Sequence, residues 1–274
     1  MIQTHNRIRP IAWLCLAILA ILLTAFGAWG KHNEVLCTAC HNKTADDATP
    51  YSSDDLVQPK NLLCLGCHDA TLDVSGLNPP HVFHGREDLA GGSFTPTLLS
   101  DNSGHNIQTV DMALGLTPPG GAALAEFGCL SCHDAHDNGS YRNLKKEING
   151  YATAVKADGD PDFQQNVYIS GMNDFCCACH EKFNRTGNGG GRRGWTRHPV
   201  GIAISGAAHA DFENWSRLTT RVTQAELPSG NSDDLYSAQV FCLSCHRAHA
   251  SPFKDAMRWD YSKNTQGCLE CHTF

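Results

Sequence analysis

Cys129-Leu-Ser-Cys-His133-Asp-Ala-His136 and Cys242-Leu-Ser-Cys-His246-Arg-Ala-His249 decide how this chain folds. Each is a pair of cysteines two residues apart, a histidine directly after, and a second histidine three residues on. The C-x-x-C-H core recurs as CTACH at 37–41, CLGCH at 64–68, CCACH at 176–180 and CLECH at 268–272. Twelve of the 14 cysteines fall in these six motifs. Cys15 lies in an apolar N-terminal run, and Cys177 cannot meet the spacing to Cys179, which leaves it a spare thiol.

C-x-x-C-H is the attachment sequence of c-type haem. The two thiols add to the vinyl groups of the porphyrin, and the adjacent histidine reaches the iron. Zinc needs cysteine pairs but no histidine directly after them, and disulfides need no histidine at all. With His at 15 of 274 positions, six successive agreements by chance are on the order of 10⁻⁸ from composition. Six haems are therefore expected. Their thioethers would be to Cys37 and Cys40, Cys64 and Cys67, Cys129 and Cys132, Cys176 and Cys179, Cys242 and Cys245, and Cys268 and Cys271. His41, His68, His133, His180, His246 and His272 are the proximal iron ligands.

Other classes fall away. A net charge of −7 argues against nucleic-acid binding, which calls for a basic patch. Cysteines at regular spacing argue against disorder. Arg185, Arg192, Arg193 and Arg197 flank a glycine run, but the Gly-Lys-Ser/Thr ending of a phosphate loop is absent. Those arginines suit haem carboxylates, and Trp195, Trp215 and Trp259 suit haem edges.

Residues 1–30 combine Arg7 and Arg9 with the apolar run Ile11–Ala28 and small residues near Ala25 to Gly30. This is the pattern of a secretory signal, with retention as an N-terminal anchor the alternative. Either way residues 31–274 are exported, to the periplasm or cell surface, and contact a membrane only if the first segment is retained. Without residues 1–30 the balance is 19 Lys and Arg against 28 Asp and Glu.

Six irons need six further ligands. Met112, Met172 and Met257 are too few, whereas beyond residue 30, with His5 set aside, eight histidines remain: His32, His81, His84, His105, His136, His198, His209 and His249. In C-H-x-x-H, residues three apart on a helical turn share a face. His136 and His249 therefore cannot oppose the histidine of their own motif and must serve another haem. Motif starts are separated by 27, 65, 47, 66 and 26 residues, so 64–136 parallels 176–249 as an internal repeat. The repeat makes His84 and His198 equivalent distal ligands. His105 and His32 complete the distal set, with His81 and His209 in reserve.

The paired motifs, the C-H-x-x-H extensions, Ser103-Gly104-His105-Asn106-Ile107 and Arg197-His198-Pro199 resemble the doubled-CxxCH multihaem cytochromes of metal-respiring bacteria. Some members of that group stack into extracellular filaments. The resemblance implies periplasmic or extracellular electron transfer through bis-histidine haems, with other redox proteins or extracellular acceptors as partners.

About 41 residues of chain per haem cannot wrap each group in its own domain. The expected architecture is a mostly irregular chain with short α-helices at the attachment sites, little β structure, and stacked haems as the core. Pro79-Pro80, Pro118-Pro119-Gly120-Gly121 and Gly187 to Gly194 mark loops. The motifs nearest the two ends suggest that haems 1 and 6 are the ports and haems 2–5 the interior. Saturated irons favour an electron carrier over an enzyme. The alternative is a multihaem reductase of nitrite, hydroxylamine or a sulfur oxyanion with one open iron.

Overall fold

The computed structural model describes residues 32, 35–43, 52–71, 79–84, 91–94, 103–105, 107, 113–114, 116–159, 166–183, 198, 200–204, 225–230 and 237–269. The N-terminal segment 1–30, Cys271, His272, His209, the four loop arginines, Trp195 and Trp215 lie outside them. The described chain is mostly irregular, as its composition suggested. Five short helices occur: α1 (Lys60–His68), α2 (Cys129–Cys132), α3 (Met172–Cys177), α4 (Cys242–Cys245) and α5 (Gln266–Leu269). All five carry residues of a C-x-x-C-H motif. Among the described residues no helix is long and apolar enough to cross a membrane.

The strands form four two-stranded antiparallel ladders. They are β1 (Ala113–Leu114) with β2 (Glu126–Phe127), β3 (Glu147–Ile148) with β4 (Tyr151–Ala152), β5 (Lys156–Gly159) with β6 (Asn166–Ser170), and β7 (Ile202–Ala203) with β8 (Gln239–Val240). Asn149 (φ 52°) and Gly150 (φ 79°) join β3 to β4. Two positive φ values in a two-residue loop are what a type I′ hairpin needs, and Asn-Gly is its favoured pair.

Buried apolar side chains form three separate clusters. One gathers Leu65, Phe83, Phe94, Ile107, Phe127 and Ala250. The second gathers Leu144, Val155, Tyr168, Met172, Phe241 and Leu243, and the third Ile204, Ala225, Leu227, Ala238 and Val240. No cluster exceeds six buried residues, so protein side chains alone build only islands of core among the described residues. Helix α1 packs on α2, and α3 on α4. Those two contacts set neighbouring haem motifs against each other.

Candidate haem-binding sites

The one-turn helices α2 and α4 end at the second cysteine of their motifs, and the next residue is extended: His133 has φ −113° and ψ 150°, His246 φ −107° and ψ 159°. The C-H-x-x-H segments are therefore not the helical turns expected from their spacing. The backbone leaves the helix because it pairs instead with a return segment nine to thirteen residues on. Asp134 N–H donates to the Asn143 carbonyl and Lys145 N–H to Cys132; in the second copy Arg247 N–H donates to Ala256 and Arg258 N–H to Cys245. The expectation that the two histidines of each segment serve different irons was argued from that turn and rests instead on the ring pairs of His41 with His136 and His133 with His249.

Imidazole orientation follows from hydrogen bonds at Nδ1. His68 Nδ1 donates to the Pro80 carbonyl at 2.8 Å, His133 to Arg142 at 3.0 Å, His180 to Pro119 at 2.9 Å and His246 to Asp255 at 2.7 Å. Outside the motifs, His32 donates to Ala135 at 2.8 Å, His105 to Ala248 at 2.6 Å and His249 to Gly92 at 3.2 Å. An Nδ1–H held by a carbonyl fixes the tautomer and leaves Nε2 with a lone pair for a metal. The carbonyls of Arg142 and Asp255 come from left-handed turns at Arg142 and Asn143 (φ 50° and 53°) and at Asp255 and Ala256 (φ 59° and 53°). Such non-glycine conformations cost about 1–3 kcal/mol each and cluster at functional sites. Here they aim the acceptor at the imidazole.

Four imidazole pairs bring their ring centres close together, one pair stacked and three tilted. Ring centres are 6.3 Å apart for His41 and His136 and 6.0 Å for His32 and His68. They are 6.2 Å apart for His133 and His249 and 6.0 Å for His105 and His180. Histidine–metal bonds run about 2.0 Å, so two imidazoles on opposite sides of one iron have centres roughly 6 Å apart. Each pair joins a motif histidine to one of the distal candidates, so the residues present fit haem iron. Burial pushes His68, His105, His133 and His246 below the ordinary imidazole range, and His249 down to about 3. Burial thus holds the neutral form that a metal requires.

The thiols fall into a chain of neighbours. Cys40 is raised by burial and by Cys67, Cys64 and Cys37 beside it. Cys64 shares a hydrogen bond with Cys129, which raises the former and lowers the latter. Burial, with Cys179 nearby, pushes Cys132 up to about 12. Cys242 is raised chiefly by its hydrogen bond to Cys176. Motifs one to five are thus consecutive in space as well as in sequence. Cys177 is buried, at 5% exposure.

Among the remaining candidates, His84 holds Asp69 Oδ1 at 3.0 Å through Nδ1 and lies edge-on to Phe83. His81 is half-buried and close enough to His68 to act on it electrostatically, and His198 is exposed. No ring contact joins His81 or His84 to a motif histidine among the described residues. Trp259 is buried with its indole N–H lacking a partner among the described residues. It abuts Gly267, next to Cys268, where a haem carboxylate would satisfy the indole donor.

Other positioning residues were not evident from the motifs. His249 N–H donates to Gly91, and a side chain on Gly92 would strike the Ala250 carbonyl at 1.9 Å. A side chain on Gly104 would meet Ala250 Cα at 2.5 Å, where Ser251 N–H bonds to Ser103 and His105 N–H to His249. The Gly91-Gly92 doublet and Ser-Gly-His were visible signals of close backbone approach. Asn61 and Asn173, which accept the backbone N–H of Cys129 and of Cys242, gave no such sign.

A family model described as "Doubled CXXCH motif" matches residues 237–274. No curated protein matches the chain. Among solved structures, the chain is similar to the outer membrane cytochrome S filament from Geobacter sulfurreducens. The TM-score is 0.55 at 18% identity, covering 83% of this chain and 84% of that one. The OmcS nanowires of the same organism, solved by cryo-EM, give a TM-score of 0.53 at 20% identity, over 82% and 83%. The motif match is confined to residues 237–274, and the likeness of fold extends over most of the chain.

Proposed function

We propose that the chain is an electron-transfer protein that holds six covalently attached c-type haems with two histidines on each iron. The observation that carries this reading is the set of four imidazole pairs at 6.0–6.3 Å. When bound, haem supplies a one-electron ferric/ferrous couple whose potential two imidazoles keep lower than a methionine ligand would. His41 and His136 would hold the first iron, His68 and His32 the second, His133 and His249 the third, and His180 and His105 the fourth. The second histidine of each C-H-x-x-H segment then reaches back two motifs, from the third to the first and from the fifth to the third. His246 and His272 take their partners from His84 and His198, with His81 and His209 in reserve.

The neighbouring thiols of successive motifs support a route that follows the chain, with the first and sixth haems as the ports. The two similar structures are of a filament and of nanowires. On that likeness we propose an exported protein that passes electrons to redox partners or extracellular acceptors and can assemble with its own copies. Residues 1–30 serve as its export signal or anchor, and 31–274 as one hexahaem unit.

Low-temperature EPR of the oxidised protein, with haem counted by pyridine haemochrome, tests the proposal. Six haems per chain, all low-spin, is the expected result. One high-spin iron per chain that responds to nitrite would replace this reading with a reductase.

A further inference from the structure

Helices α2 and α4 are single turns that begin at the first cysteine of a haem motif. A helix start leaves backbone N–H groups without intrahelical acceptors. The residues at the N-cap cannot help, because Gly128 has no side chain and Phe241 has no acceptor. In both copies the acceptor comes from the preceding haem helix. Cys129 N–H donates to Asn61 Oδ1 at 3.0 Å, and Cys242 N–H donates to Asn173 Oδ1 at 3.0 Å. Each asparagine stands three residues before the first cysteine of its own motif, Cys64 or Cys176. Residues at that spacing share a helix face.

The local fit is tight. Asn61 is fully buried, and a side chain on Gly128 would strike its amide at 2.5 Å. The Cys242 thiol also lies 3.2 Å from Asn173 Oδ1, a contact that loses its proton once the thioether forms. The backbone bond from Cys242 survives attachment. One amide oxygen therefore docks the first thioether sulfur of one haem beside that of the haem before it, and the arrangement occurs twice.

We infer that Asn61 and Asn173 are positioning residues that set the edge-to-edge approach of consecutive haems, the second to the third and the fourth to the fifth. This rests on the haem reading proposed above and goes beyond it. It divides the middle of the array into two locked pairs, α1 with α2 and α3 with α4.

The test uses the full-length holoprotein carrying Asn61→Leu, Asn61→Asp or Asn173→Leu. Soret circular dichroism reports the mutual orientation of neighbouring haems, and haem-peptide mapping reports which motifs are loaded. Asn61→Leu is expected to keep six haems and to weaken the bisignate Soret signal. Asn61→Asp keeps an acceptor oxygen and is expected to restore at least half of the loss. Where leucine blocks maturation, haem should be lost from the peptides of Cys64–His68 and Cys129–His133 and kept on those of Cys176–His180 and Cys242–His246. Asn173→Leu should give the converse. A Soret signal untouched by leucine, a defect that aspartate does not relieve, or haem loss spread evenly over all motifs overturns the assignment. An unsubstituted chain that carries no haem would instead overturn the haem reading itself.

Discussion

Glu226 sits between Tyr168 and Gln239 in bridge pairing, 6% exposed, with Oε1 lacking a partner among the described residues. Burial raises its carboxyl above the ordinary 4.5, against a backbone hydrogen bond from Met172 that lowers it. A folded-state value above the unfolded one means that the native state binds more protons between the two values. Its contribution is full below 4.5 and is lost as pH rises through the folded value. Glu226→Gln keeps an acceptor for Met172 and removes the charge. It should raise the melting temperature at pH 7 and leave it unchanged below pH 4.5, measured by differential scanning calorimetry at both. Gly267 offers a steric counterpart. An added Cβ would lie 2.4 Å from the Trp259 ring, which is itself buried. Gly267→Ala should cost about 1–3 kcal/mol through overpacking. It should also lower haem loading on the peptide containing Cys268, read by mass mapping. Neither effect was legible in the sequence, since a buried carboxylate and a glycine pressed on an indole have no local signature.

At the scale of elements, the C-x-x-C-H segments form where covalent chemistry demands them, and each helix carries one. The spacing of the second histidines suggested ligands of another iron, yet the helical turn assumed for them is absent: the helix stops before His133 and His246, which pair in isolated bridges with Leu144 and Met257. Return segments at 142–145 and 255–258 win over helix propagation because they satisfy the backbone and carry the carbonyls that orient His133 and His246. Of the four left-handed residues involved, Asn143 and Asp255 are types that tolerate the conformation well. Arg142 and Ala256 gave no warning. The pairing of His136 with His41 makes a directed prediction. His136→Ala should convert one of six irons to high spin, with His41 its remaining ligand. EPR spin quantitation on that variant, beside His249→Ala, checks the expectation, and the double variant should show two high-spin irons. By contrast the Asn149-Gly150 hairpin carried a plain signal, because its two positive φ values restrict which residues can occupy it.

At the scale of the molecule, the three small apolar clusters among the described residues cannot offset the conformational entropy of ordering them. Folding is therefore expected to need haem, as metal-dependent domains need their ion. Chain made without haem attachment should lack near-ultraviolet dichroism and be cut rapidly by a nonspecific protease at sites that the holoprotein protects. The attachment motifs and their number were legible in the sequence alone, because thioether chemistry joins residues within five positions of one another and needs no fold to be recognised. The same holds for the poverty of apolar core. Which histidine faces which was decided only by tertiary structure. His41 and His136, or His133 and His249, lie far apart along the chain, and backbone docking at Gly91, Gly92, Gly104 and Ala250 brings His249 and His105 into place. The physical reason is that covalent attachment is a local contact, whereas an axial pair is a long-range one whose register depends on every turn between its members.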